Sequence, residues 1–371
     1  MISKKQKSDI LIFAKDAHDL GKNFSIGPDV LTPVNFAEEK NKFFSKDGYN
    51  PQFVYIYKKR PTINISLLEL RHRLNKLDVP DDIKVFFHEY LNDLKVHELA
   101  IRSIGTADFP YFAQKLFDWD IESLATVRKS LPKITFLENP KPKLYNAEEM
   151  RDIFIDYLEN KLGINSFVVH IDAFNDHTIW VGENLLSIGK SIRRNSNNLN
   201  RLIVHEIESH ILQRNNILHS NNPMLRLTKL YETRLYAEGI AVYNEVLTKT
   251  ITKTAYETYW LRLKAVTMLQ YSFRDIYEEV LKETTPEKAF MITYRVKRGM
   301  GDTASPGGFP KDASYLYGYQ KVHDYVKNGG DLAFLFLVRV PEAGLLLKKH
   351  GLLGSYKQKL PHFIKRTKTQ I

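Results

Sequence analysis

The sequence predicts an α+β fold that is predominantly α-helical, with one small antiparallel sheet. Three observations carry this. Apolar residues recur at three- and four-residue steps along most of the chain, the period of a helix with one buried face. Short runs of β-branched and aromatic residues bounded by turn formers cluster between residues 167 and 188. The 371 residues are 43% hydrophobic and 26% charged, an ordinary balance for a folded chain with a large core.

Residues 1–30 read as a helix closed by a turn at Gly27-Pro28. Phe53-Val54-Tyr55-Ile56-Tyr57 reads as a strand. From Ile65 to about Leu77, Leu67, Leu68, Leu70 and Leu74 mark a helix, and Pro80-Asp81-Asp82 opens a long one that runs to Ile104 and stops at Gly105-Thr106. Shorter helices follow at Asp108–Leu116 and 121–131. Residues 1–138 are therefore expected to form a mainly helical region packed on the core, with no cluster of catalytic residue types. The segment 139–143, NPKPK, is the linker candidate.

Beyond it, Asn146 and Glu149 have the spacing of a capping box, and Gly163 supplies a stop. Phe167–Ile171, His177–Val181 and Leu185–Ile188 read as the strands. Leu199–Asn215 reads as a helix, with Leu199, Leu202, Ile203, Ile207 and Ile211 on its apolar side and capping residue types at Ser196, Asn197 and Asn198. Residues 224–249 read as a second strong helix and 251–285 as further helices. The Gly/Pro-rich loop Met300–Pro310 lacks the spacing of a phosphate-binding loop. Helix resumes from Lys311 to about Leu347, so 144–347 is the expected second domain, with 348–371 a basic, peripheral tail.

The Leu199–Asn215 helix carries His205, Glu206 and His210. Two imidazoles on one helix with a carboxylate beside the first suit a zinc hydrolase: the histidines hold the metal and the glutamate takes a proton from water. Histidines five apart are separated by roughly 140° on a regular α-helix of 3.6 residues per turn. Convergence requires a wider turn, so a π-type bulge is predicted between His205 and His210. The third ligand is sought on the next helix, which offers Glu232, Glu238 and Glu245. Glu238 stands among small and apolar residues, where an unpaired carboxylate is costly. Its neighbour Gly239 costs about 1 kcal/mol against Ala in a helix, a cost that close helix approach around a metal explains. Glu245, seven residues on, is expected to orient a histidine from behind. The other histidines of this region, His170, His177 and His219, read as structural or surface residues.

There is no cysteine, which excludes disulfides, thiolate metal sites and cysteine nucleophiles. The first residues lack a sustained apolar run and no stretch has the length of a membrane span, so a cytoplasmic location is expected. The net charge of +11 gathers at Lys58–Arg60, Arg71–Arg73, Arg193–Arg194 and from Lys348 to Lys368. Such a field favours acidic partners, while no nucleic-acid-binding signature accompanies it.

The combination of HEIESH at 205–210, AEGIA at 237–241 and GGFPKDASYLYG at 307–318 resembles the microtubule-associated tyrosine carboxypeptidase family. TPVNF near residue 32, GTADF at 105–109 and LYNAEEM before residue 151 extend the resemblance over roughly residues 30–345. It implies a zincin-like metallopeptidase core, one zinc ion per chain on His205, His210 and Glu238, and Glu206 as catalytic glutamate. Ala237 departs from the Glu or Gln common at that place in the family. Lys311 and Tyr315 lie in the matching KDxxYLxG segment. With Arg298, Tyr315 is a candidate for stabilising the oxyanion, and Arg295, Arg298 and Lys311 compete for the substrate carboxylate. The expected activity is a zinc carboxypeptidase acting on a peptide or protein C-terminus, with acidic and aromatic ends among the candidates. The rival expectations are a zinc endopeptidase and a non-catalytic basic protein that binds nucleic acid or an acidic partner.

Overall fold

The structure is a computed structural model that describes residues 2–22, 24, 26–56, 64–117, 119, 121–136, 143–173, 179–354 and 358–364. His177, the Lys58–Arg60 cluster, Tyr57 and most of the 139–143 linker lie outside the described residues. Helices dominate, and the strands are few and short. No helix among the described residues is long and apolar enough to cross a membrane.

The N-terminal helices begin where local chemistry starts them. Ser3 and Gln6 form a capping box at the head of Lys4–Gly21, and Pro80 stands immediately before Asp81–Ser103, whose first turn carries Asp81 and Asp82 at the positive end of the helix dipole. These helices share their cores with the far end of the chain. Phe43 packs at 5.1 Å from Phe273 and 4.7 Å from Tyr277. Ile10, Phe13 and Phe87 belong to one apolar cluster with Met224, Leu337 and Leu347. Phe53–Ile56 does not form the expected strand. Gln52 makes one isolated bridge with Asp302, and Phe53 and Val54 bond to different loops, through Gly301 and Val34.

A third apolar cluster lies under the sheet and includes Ile188, Ile207, Ile211 and Ile240. The Asn146–Glu149 capping box forms as expected, at the head of Ala147–Asp156, and Gly163 takes the left-handed φ of +59° just past the helical segment. The three-stranded sheet has Leu185–Gly189 at its centre. Ile179–Val181 flanks it antiparallel, but Val168–Asp172 flanks it parallel. The sheet is thus mixed and not antiparallel. The chain leaves the first strand, places the next one an extra position away and fills the gap with the third. A two-stranded antiparallel piece pairs Leu144–Tyr145 with Arg194–Asn195.

Ser196 to His219 is one continuous helical run, capped by Asn195, whose Oδ1 accepts from the Asn198 amide at 2.9 Å. The cap therefore falls one residue ahead of the three expected capping positions. The edge strand Ile179–Val181 lies against this run. The next helix starts later than expected. Pro223–Arg226 forms a separate 3-10 turn capped by Asn222, and the α-helix occupies Leu230–Leu247. It packs against Leu316–Lys327 at a contact of two glycines. A Cβ on Gly239 would stand 2.4 Å from the Gly318 carbonyl, and one on Gly318 would stand 2.2 Å from Leu235 O. The close approach inferred from Gly239 is thus real, and its partner is the helix that follows the Gly/Pro-rich loop.

The C-terminal tail is not wholly peripheral. Asn216 and Lys359 exchange two hydrogen bonds of 2.8 Å, and His362 Nδ1 donates to the buried Glu208 carboxylate at 2.5 Å. Leu360 and Ile364 pack on the apolar cluster below.

Candidate metal centre

The helical run changes its ladder in the middle. Ser196–Leu202 is α-helical, Ile203–Ile211 is π-helical and Leu212–His219 is α-helical again. In the π segment each turn closes on the fifth residue, so residues five apart stack along one face. This is the wider turn that the spacing of His205 and His210 requires. Ser209 Oγ donates to the Val204 carbonyl at 2.7 Å within the widened turn, and Asn244 Nδ2 donates to Ser209 Oγ at 2.9 Å from the neighbouring helix. Ile207 and Ile211 are fully buried on the opposite side. Burial of such side chains stabilises by about 1.5–3 kcal/mol each, which anchors the unusual segment.

The result is a convergence of three donors. His205 Nε2 and His210 Nε2 each lie 3.5 Å from Glu238 Oε2, and the imidazole centroids are 5.0 Å apart. One ligand atom from each of the three residues falls within 4.8 Å of the others, and the group could hold a metal ion. The donor chemistry fits: two neutral imidazole nitrogens and one carboxylate oxygen suit a borderline divalent cation and leave coordination positions open. His205 and Glu238 are buried and His210 nearly so. Burial would raise the Glu238 pKa, but the two imidazoles outweigh it and hold that carboxyl well below its usual range. Burial likewise opposes charge on His205, and the Glu238 and Glu245 carboxylates overcome it and raise its pKa. The field at the centre of the cluster therefore favours a positive charge.

Glu245 does what its position on the helix suggested. His205 Nδ1 donates to Glu245 Oε1 at 2.6 Å, which fixes the ring and turns Nε2 toward Glu238. The same oxygen accepts from Arg201 at 2.9 Å and from the Tyr259 hydroxyl at 3.0 Å. Arg201, Glu245 and Tyr259 form a buried support behind the first histidine. Burial would raise the Glu245 pKa, but Arg201 and then His205 more than offset it. Sequence reading missed Arg201 and Tyr259. Arg201 had a signal, because it precedes His205 by one helical turn.

Glu206 is 9% exposed and makes no hydrogen bond or ion pair among the described residues, although its charge acts on His205, Arg201 and Arg214. Tyr315 stacks on Tyr259 with ring centroids 4.8 Å apart, and its ring lies 6.4 Å from His205. Burial, and secondarily the Glu238 charge, push its phenol up to about 12. Arg295 is engaged elsewhere. Its Nη2 donates to Asp312 Oδ1 at 2.8 Å and its Nε to the other oxygen. Arg262 and Arg298 approach the same fully buried Asp312 at 3.6 and 3.8 Å. Asp312, which sequence reading passed over, gathers three arginines, and they hold its carboxyl well below the ordinary range against the effect of burial. Lys311 is in a different situation. It has no acidic partner in contact, and burial and the Arg234 charge push its ammonium down to about 7. His219 donates from Nδ1 to Asn215 O and His170 is exposed on the sheet, so both stand apart from the cluster.

A predominantly helical α+β chain with a buried cluster of two histidines and a glutamate, able to hold a metal ion, is the class of protein that fold and site define. The profile of the microtubule-associated tyrosine carboxypeptidase family matches residues 41–342, and the chain belongs to that family. The matched span contains His205, Glu206, His210, Glu238 and Glu245. The family description is that of a carboxypeptidase, which implies a protein or peptide substrate. No curated protein matches the chain.

Proposed function

We propose that this chain is a zinc-dependent carboxypeptidase with a zincin-like core that removes the last residue of a peptide or protein. The observation that carries the reading is the π-helical segment, which brings two histidines five residues apart onto a common carboxylate. Such a detour from α-helical bonding accumulates at functional sites. Here its consequence is the assembly of three donors with the right chemistry for zinc.

His205, His210 and Glu238 would hold the ion. When bound, zinc supplies Lewis-acid polarisation of the scissile carbonyl and acidifies water to a pKa of about 7. Glu245 keeps the His205 ring oriented. Glu206 takes a proton from the attacking water and returns it to the leaving amine, a role that suits a carboxylate beside the first ligand with no partner of its own. Tyr315 and Arg298 are the candidates for steadying charge on the carbonyl oxygen. Ile179–Val181, an edge strand against the helical run, offers its free edge to an extended substrate.

The test is elemental analysis of the purified protein and of Glu238→Ala, followed by peptide hydrolysis by wild type and Glu206→Gln. One zinc per chain in wild type, lost in Glu238→Ala, with release of single C-terminal residues abolished in Glu206→Gln, is the expected result. Cleavage inside the peptides would make it an endopeptidase. Absence of zinc after metal loading at neutral pH would end the peptidase reading.

A further inference from the structure

Four cations stand beside the metal cluster without acidic partners. Arg214 follows His210 by four residues, where the ladder has returned to α-helix, and Arg234 precedes Glu238 by four residues on the neighbouring α-helix. A four-residue step keeps side chains on one face, so each arginine stands about one helical turn, ~5.4 Å, from a ligand. Arg339 comes from a third direction, at the end of Leu332–Val338, whose backbone carbonyls accept from Gln213 and Asn216 at 3.1 Å. Lys311 comes from a fourth, the 3-10 turn Pro310–Ser314.

These groups repel one another. The Arg234 charge depresses the pKa of Arg214, Arg339 and Lys311 alike, in each case after burial itself. None of the four forms an ion pair among the described residues, and the half-buried Arg339 has an enclosed Nε with no hydrogen-bond partner. The negative charges that reach Arg214 are those of Glu183, Glu206 and Glu238, of which Glu238 already serves the two histidines. Arg339 is also held in place by an uncommon backbone. It has φ of 57° and ψ of −54°, and the Val340 amide bonds back to the Val338 carbonyl at 2.6 Å. A three-residue turn with positive φ at its centre is rare and strained. Uncompensated like charges and backbone strain in one place are a pattern of sites completed by a ligand.

We propose that Arg214, Arg234, Arg339 and Lys311 form the subsite that receives the free α-carboxylate of the substrate's last residue, and so make the enzyme an exopeptidase. This rests on the peptidase reading above. The distance favours it. The terminal carboxylate lies one residue beyond the scissile carbonyl, at most ~3.3–3.6 Å of extended chain, and the arginines stand one helical turn from the ligands. Arginine binds carboxylate through two parallel hydrogen bonds, which sets direction as well as affinity. The assignment also moves this role away from Arg295, whose guanidinium is committed to Asp312.

The experiment uses full-length, zinc-loaded Glu206→Gln protein, which holds peptides without turnover, and fluorescein-labelled pentapeptides read by anisotropy. Three probes share one sequence: a free acid, its C-terminal amide, and an amide whose last residue is Asp. The free acid is expected to bind roughly 10- to 100-fold tighter than its amide, the range of one charge-assisted hydrogen bond. Arg234→Gln or Arg214→Gln in that background should erase most of the preference. The melting temperature should hold or rise in both, because a repulsion has been removed; a merely structural arginine would lower it. Arg339→Lys supplies a third variant that keeps the charge and loses the fork, and it should retain only part of the preference. Equal binding of acid and amide, a preference that survives both glutamine variants, or an Asp-amide that binds as well as the free acid would each overturn the assignment. Wild-type turnover of the same peptides separates the two readings. Turnover without acid preference removes this subsite alone. Acid preference without turnover of any peptide keeps the subsite and removes the peptidase reading.

Discussion

Replacing Glu245 by Gln tests whether the support behind His205 serves the metal or only the fold. Glu245 Oε1 accepts from His205 Nδ1 at 2.6 Å, Arg201 at 2.9 Å and Tyr259 at 3.0 Å. The amide oxygen of Gln can still accept three hydrogen bonds, so shape is kept and the negative charge is lost. Two costs follow. Arg201, whose side chain is 13% exposed, keeps its charge without a counter-charge, and breaking such a buried pair typically costs ~3–5 kcal/mol, toward the lower end when the hydrogen bonds survive. The imidazole loses an anionic acceptor that raises its basicity as a ligand, which for comparable outer partners weakens metal binding by about 10- to 100-fold. The assay is a competitive zinc titration against a chromophoric chelator, with urea denaturation of apo and zinc-loaded protein alongside. The expected outcome is a fall in both zinc affinity and apo stability, with the gap between loaded and apo stability shrinking by about 1.4–2.7 kcal/mol. Zinc affinity within twofold of wild type, with only stability reduced, would refute the argument that Glu245 acts through His205.

Two further outcomes are expected. Gly239→Ala should melt below wild type: a better helix former contributes about 1 kcal/mol, but its Cβ would sit 2.4 Å from the Gly318 backbone, an overlap of the kind that costs ~1–3 kcal/mol or more. A Gly239→Ala protein melting at or above wild type would show that the two helices separate freely. Lys297 is fully buried, donates to Ser305 O at 2.8 Å, and has its ammonium pushed down to about 8 by burial. Between pH 8 and about 10.4 the unfolded chain binds the extra proton, so stability contributed at this site should rise with pH across that window, by up to about 3 kcal/mol. Lys297→Met should lack that rise in urea denaturation, and parallel pH profiles for the two proteins would count against it.

Much of the candidate site was legible because its logic is local. The spacing of His205 and His210 demanded a widened turn, and Glu238 and Glu245 lie seven residues apart on one helix face. What escaped was set by contacts between distant segments. A period-two pattern shows that 168–172 and 185–189 are strands but carries nothing about their direction, so the parallel pair was read as antiparallel. Asp312 looks like any loop carboxylate until Arg262, Arg295 and Arg298 converge on it from separate places in the chain. The cations around Arg234 were unreadable for the same reason. The distinguishing feature is the lack of an acidic neighbour, and neighbours are a property of the fold. The start of the helix at Leu230 was missed because Pro223 suits the first turn of a helix, and here it opens a 3-10 turn instead.

The π-helical stretch also constrains how this sequence can change. Closing the turn on the fifth residue inserts one residue into the run without shifting the faces on either side of it. Deleting a residue between His205 and His210 would recreate the four-residue spacing of ordinary zinc-binding helices. It would also rotate everything after the deletion by about 100° relative to what precedes it. Gln213 would leave the Leu335 carbonyl, Asn216 would leave Phe336 and Lys359, and Arg214 would swing out of the cluster around Arg234. The shorter motif cannot be reached from this one by a single tolerated deletion, because the downstream half of the helix is keyed to the longer register. The two ways of spacing histidines on a helix are in that sense separate solutions, and a chain that has adopted one is locked out of the other.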